Sequence, residues 1–139
     1  MIFMEYGLAG VGTWYFYSSA RSMNVASVDG NGNWSPLSDV NSKKDFEPSN
    51  IGLNEILQLK PTLYRFKSES DDAKKSLGFI AQDVKHVIPE AYTQHTDFIG
   101  LNYNVFIPVI VKAMQEMKQD YDKKIADLES RLLALESKP

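Results

Sequence analysis

The residues whose types and spacing suit chemistry lie in one stretch, Ser35-Pro36-Leu37-Ser38-Asp39-Val40-Asn41-Ser42-Lys43-Lys44. Cysteine is absent and the two histidines are His86 and His95, which removes thiol nucleophiles, disulfides, zinc ribbons and a histidine metal cluster. What remains is a serine or threonine activated by lysine, or a pair of carboxylates; the many Asp and Glu show no spacing that singles out such a pair. A serine hydroxyl is a poor nucleophile until a base takes its proton. Lysine is that base only where burial or nearby positive charge favours the neutral amine, and Lys44 places one charge beside Lys43. Five residues along an α-helix turn through about 500°, which leaves positions 38 and 43 about 140° apart. Ser38 therefore belongs in an extended or turning segment, which Pro36 favours, or the two residues meet across subunits. A serine five residues before a lysine is common by chance, and the spacing alone better suits a capping or turn serine and a solvated lysine.

Three zones surround this stretch. Residues 1–37 are rich in Gly, Ser, Asn and aromatic side chains and carry only Glu5, Arg21 and Asp29 as charges. Thr13 to Tyr17 and Ser22 to Val28 read as strands, with Asp29-Gly30-Asn31-Gly32-Asn33 as a turn. So short a segment does not close a core alone and is expected to be the distal end of a β-rich fibre or stalk. Residues 38–103 mix short helices and strands. Leu53, Ile56 and Leu57 suggest a helix capped by Asn50 and stopped at Lys60-Pro61. Thr62 to Lys67 reads as a strand with Tyr64 and Phe66 on one face, and Leu77 to Ile80 as its antiparallel return. Val84, Val87 and Ile88 mark a short helix ended by Pro89. Two strands follow, Ala91 to Thr96 and Phe98 to Leu101. Residues 104–139 form one long helix with Pro108 near its start. Met114, Met117 and Tyr121, then Ile125, Leu128, Leu132 and Leu135, recur at steps of three and four with one stutter between the sets. Such a stripe needs a partner, and a parallel coiled coil is the expected one. The fold class is α+β: a small mixed helix/strand domain with a long C-terminal helix.

The order of motifs from Ser38 onward resembles the self-cleaving intramolecular chaperone domain at the C-terminus of phage tail spikes and tail fibres, the endosialidase type. The resemblance rests on Ser38-Asp39-Val40-Asn41-Ser42-Lys43, which is similar to that family's Ser-Asp-x-x-x-Lys. It continues through Leu59-Lys60-Pro61-Thr62-Leu63-Tyr64-Arg65-Phe66, then Gly78-Phe79-Ile80-Ala81-Gln82 with Pro89-Glu90, then Tyr103 and Ala113-Met114-Gln115-Glu116-Met117. It implies a homotrimer over residues 38–139 that assists folding of its own upstream stalk, residues 1–37, and then releases itself. It also implies a nucleophile at Ser38 and a general base at Lys43. Members often carry arginine where Val40 and Asn41 stand here. For a serine attacking its neighbouring peptide, the Leu37 carbonyl is reached through a five-membered ring and the serine's own carbonyl only through a four-membered one. The expected cut lies between Leu37 and Ser38.

The chain of 139 residues is 43% hydrophobic and 24% charged, enough to bury a core, and its net charge of −3 speaks against a nucleic-acid surface. No apolar run reaches the ~20 residues of a membrane helix, and no cofactor, metal or membrane partner is expected. The resemblance places the upstream part in a virion tail fibre or spike and the chaperone in the host cytoplasm during assembly. A trimerisation module that never cleaves is the alternative. A more remote one is the related domain of membrane-bound transcription factors, for which this sequence lacks a downstream membrane helix.

Overall fold

The computed structural model describes residues 12–137; residues 1–11 of the expected fibre segment lie outside them. The described chain forms two compact units that meet between Glu47 and Pro48.

The first unit is an antiparallel meander of β1 (Trp14–Ser18), β2 (Met23–Val28) and β3 (Trp34–Pro36). Asp29 builds the β2–β3 turn: its Oδ1 accepts the amides of Asn31 and Asn33 at 2.9 Å each, and Gly32 takes φ +81°, which costs glycine little. Phe16 stands edge-on to Trp34 with ring centroids 4.8 Å apart. Only Ala26 is buried among residues 12–47, and Trp14, Tyr15, Tyr17 and Trp34 stay exposed. The sheet does not close a core of its own. Pairing steps from Phe16 opposite Ala26 to Tyr17 opposite Asn24, leaving Val25 as a bulge with no residue across from it. On the side facing β3, the Val25 carbonyl accepts the Leu37 amide at 2.8 Å, which continues the β2–β3 register one residue beyond Pro36.

The second unit is a small mixed α/β domain with a long C-terminal helix. Its order is α1 (Leu53–Ile56), β4 (Thr62–Tyr64), β5 (Ser76–Gly78), α2 (Ala81–Lys85), β6 (Tyr92–Gln94), β7 (Ile99–Leu101) and α3 (Phe106–Glu136). β4 pairs antiparallel with β5, and β6 with β7. The core joins Val84, Ile88 and Ala91 to Phe106 and Val109 of α3. α2 stops at Lys85, short of the expected Val87 and Ile88, and Pro89 instead opens a 3-10 turn, Pro89–Ala91, that tucks Ala91 into this core. β4 stops at Tyr64, short of the expected Lys67, so Phe66 lies beyond the strand, yet the two rings still meet edge to face at 5.4 Å. Phe79 stacks on Phe106 at 5.3 Å, and Tyr103 covers Gly78, where a Cβ would stand 2.8 Å from its hydroxyl.

The expected Asn50 cap is replaced by Gly52, because the capping acceptor comes from the far end of the domain. Glu116 of α3 accepts the Leu53 amide at 2.8 Å while holding Lys112 at 2.8 Å, and a Cβ on Gly52 would press into that pair. The Leu53 amide first, and Lys112 second, hold the Glu116 carboxyl below its ordinary value of 4.5. A lowered carboxyl stabilises the fold fully above its unfolded pKa, and the contribution is lost as pH falls through the folded one. Glu116→Gln is therefore expected to unfold at a lower temperature than the natural chain at pH 7. The gap should narrow progressively as both are melted at pH values falling below 4.5; a gap unchanged across that range would assign the loss to packing instead.

Pro108 sits in the first turn of α3, where a proline costs no helical hydrogen bond. Phe106, Val109 and Ala113 are the buried residues of this helix, and from Met117 to Ser137 every described residue is exposed. No described helix is long and apolar enough to cross a membrane.

Candidate functional site

Ser38 and Lys43 are brought together inside the first unit. β3 ends at Pro36, so Ser38 follows in extended chain, and Asp39 (φ −66°, ψ 133°) then caps a single 3-10 turn over Val40–Ser42. The Asp39 Oδ1 accepts both the backbone amide and the side-chain amide of Asn41 at 3.0 Å, and the Lys43 amide donates to the Val40 carbonyl at 3.1 Å. The turn compresses the five-residue spacing that a helix would have splayed. Lys43 Nζ donates to Ser38 Oγ at 2.8 Å. That is the contact a proton crosses when the amine is neutral and the hydroxyl donates instead. Both side chains are exposed within one chain.

The segment borders a hollow of about 590 Å³. Arg21 and Met23 enter it from the β1–β2 connection, and Leu37, Lys43, Lys44 and Phe46 line its other side. Arg21 was not foreseen as part of this site. The available signal was its isolation as the only cation among residues 1–37; the bulge and turn that bring it near Leu37 are three-dimensional facts. Ser22 (φ 53°) and Asp45 (φ 56°), the two non-glycine residues with positive φ among those described, sit next to lining residues on opposite sides of the hollow. Such conformations cost of order 1 kcal/mol and concentrate where a chain is forced into a required shape.

The other singled-out residues lie in the second unit. His86 closes the C-terminus of α2, and His95 stacks on Phe98 at 4.4 Å. Met114, Met117, Tyr121, Ile125, Leu128, Leu132 and Leu135 lie along α3, each 41–64% exposed, so the apolar stripe is left uncovered by the other described residues.

Residues 38–93 match a family model described as chaperone of endosialidase, whose name also classes it among peptidases. The match begins at Ser38 itself. No curated protein and no solved structure matches the chain. By sequence, this segment is similar to the chaperone domain of endosialidases.

Proposed function

We propose that the chain is the C-terminal part of a trimeric phage tail fibre or spike, with residues 38–139 acting as an intramolecular chaperone. It trimerises through α3, assists folding and registration of its own upstream β stalk, and then cuts itself free by a single serine-protease turnover. The carrying observation is the 2.8 Å contact between Lys43 Nζ and Ser38 Oγ at the first residue of the matched segment. The stalk belongs to the virion and the chaperone acts in the host cytoplasm during assembly. No cofactor or metal enters the chemistry.

In this reading neutral Lys43 takes the Ser38 hydroxyl proton as Oγ bonds to the Leu37 carbonyl carbon. Collapse of the tetrahedral adduct breaks the Leu37–Ser38 C–N bond, and the new Ser38 amine takes the proton back from Lys43. The product is an ester between Leu37 and Ser38 Oγ. Water hydrolyses it, leaving a carboxylate at Leu37 and restoring the hydroxyl. Val25 holds the Leu37 amide and so fixes the Pro36–Leu37 peptide, the one immediately before the bond approached. Packing of three chains would take Lys43 out of water and favour its neutral form, tying cleavage to completed assembly.

The solvent exposure of Ser38 and Lys43 in the single chain favours the second reading, a trimerisation and folding module that stays intact. Denaturing intact-mass measurement on the purified chain and on Ser38→Ala separates the two. Two fragments divided between Leu37 and Ser38 in the natural chain, and one full-length mass in the variant, are expected. A folded trimer of uncut natural chains would leave the chaperone and remove the protease.

A further inference from the structure

A serine attacking a peptide carbonyl needs more than a base. As Oγ bonds to the Leu37 carbon, negative charge collects on the Leu37 oxygen, and a donor must already be aimed there for the step to be fast. The chain provides the place for one. The Leu37 amide is fixed on the Val25 carbonyl, yet the Leu37 oxygen accepts no hydrogen bond among the described residues.

Three cations line the hollow beside Leu37: Arg21, Lys43 and Lys44. Lys43 is committed to Ser38 at 2.8 Å. Lys44 leans toward Asp45, with Nζ 3.8 Å from its carboxylate. Arg21 has neither a carboxylate nor a hydrogen-bonded partner for its guanidinium among the described residues. Its backbone is nonetheless held, since its amide donates to the Ser18 carbonyl at 3.2 Å and Ser22 turns the chain behind it with φ 53°. A guanidinium does not give up its proton, so it donates at any working pH without competing with Lys43 for the role of base.

We propose that Arg21 is the electrophilic residue of the cleavage site, donating to the Leu37 carbonyl oxygen as it becomes an oxyanion. The stalk thereby supplies part of the machinery that cuts it, and cleavage depends on the β1–β2 connection having folded against the end of β3. This rests on the reading that Ser38 attacks Leu37. Ser38 and Lys43 alone would form a pair able to move a proton but poorly able to stabilise the adduct. A misfolded stalk would then leave its chaperone attached.

The test follows cleavage of the full chain by intact mass as a function of pH, in the natural protein and in Arg21→Gln, Arg21→Lys and Lys43→Ala. Loss of one such donor typically slows the chemical step by about 10²–10³. Arg21→Gln is expected to cut roughly 100-fold more slowly at every pH, with the pH midpoint of the rate unchanged and Arg21→Lys recovering part of the loss. Far-ultraviolet circular dichroism and sedimentation should show both variants folded and assembled as the natural chain is. Cleavage of Arg21→Gln at the natural rate overturns the assignment while leaving Ser38 and Lys43 in place. So does a rate that returns to the natural value at high pH, because Arg21 would then act only by easing proton loss from Lys43. An Arg21→Lys variant as slow as Arg21→Gln in a disordered sheet assigns Arg21 to folding and also overturns it. A natural chain that never cuts removes the Ser38 reading, and the role of Arg21 with it.

Discussion

Lys43→Arg is expected to stop cleavage completely on the time scale of assembly, even though it preserves charge, length and the capacity to donate to Ser38. In the structure the lysine ammonium donates to Ser38 Oγ at 2.8 Å, and an arginine could reproduce that contact. Catalysis needs the reverse transfer, for which the nitrogen must first be uncharged. Lysine can shed its proton and arginine effectively cannot. General-base assistance is typically worth about 10²–10⁴ in rate, so the loss should fall in that range or beyond it. Intact mass sampled over hours for the natural chain and for Lys43→Arg reads the difference. Equal cleavage by Lys43→Arg would mean that the 2.8 Å contact serves structure only, and that another group, or hydroxide, takes the serine proton.

Much of the fold was legible in the sequence because local rules and tertiary packing agree there. The aromatic run over Trp14 to Tyr17, the Asp29 to Asn33 turn and the Tyr64/Phe66 face are each decided by neighbours within a few residues. The Asn50 cap failed for the opposite reason: Glu116, 63 residues further along the chain, supplies the acceptor that α1 uses. Nothing near Gly52 announces it. The candidate site divides in the same way. Ser38 and Lys43 could be paired from motif order, and the argument against one helical face correctly required a turn, which Asp39 provides through its own side chain. Arg21 could not be added by such reasoning. Its approach depends on a skipped residue in β2 and on a non-glycine residue with positive φ, and neither follows from hydrophobic alternation.

Leu128→Lys combined with Leu132→Lys is expected to convert a trimer into single chains and, with it, to abolish self-cleavage. The reason begins with what α3 does not touch. Its buried residues stop at Ala113, yet the helix runs on to Glu136 with every described residue from Met117 onward exposed. An unsupported helix of that kind is marginal in water, since most helical stability in proteins comes from packing one face. The pairs Lys118–Asp122 at 2.6 Å and Asp127–Arg131 at 3.6 Å contribute only about 0.3–0.5 kcal/mol each at the surface. Leu128 and Leu132 are 59% and 55% exposed in the single chain, and in the proposed trimer they are buried on the other chains. Each buried leucine is worth about 1.5–3 kcal/mol, so one layer contributed by three chains stands for about 5–9 kcal/mol. That is several decades in the assembly constant before the repulsion of three converging ammonium groups is added. In an uncut Ser38→Ala background, sedimentation should give three times the 15.7 kDa of one chain for the parent and the single-chain mass when the double substitution is added, while adding Ser130→Lys on the outer face leaves it assembled. If cleavage needs neighbouring chains to take Lys43 out of water, the double variant should also remain uncut. Fragments from single chains would show the Ser38 site to be complete in one copy; a double variant still three chains strong would move the trimer contact away from the α3 stripe.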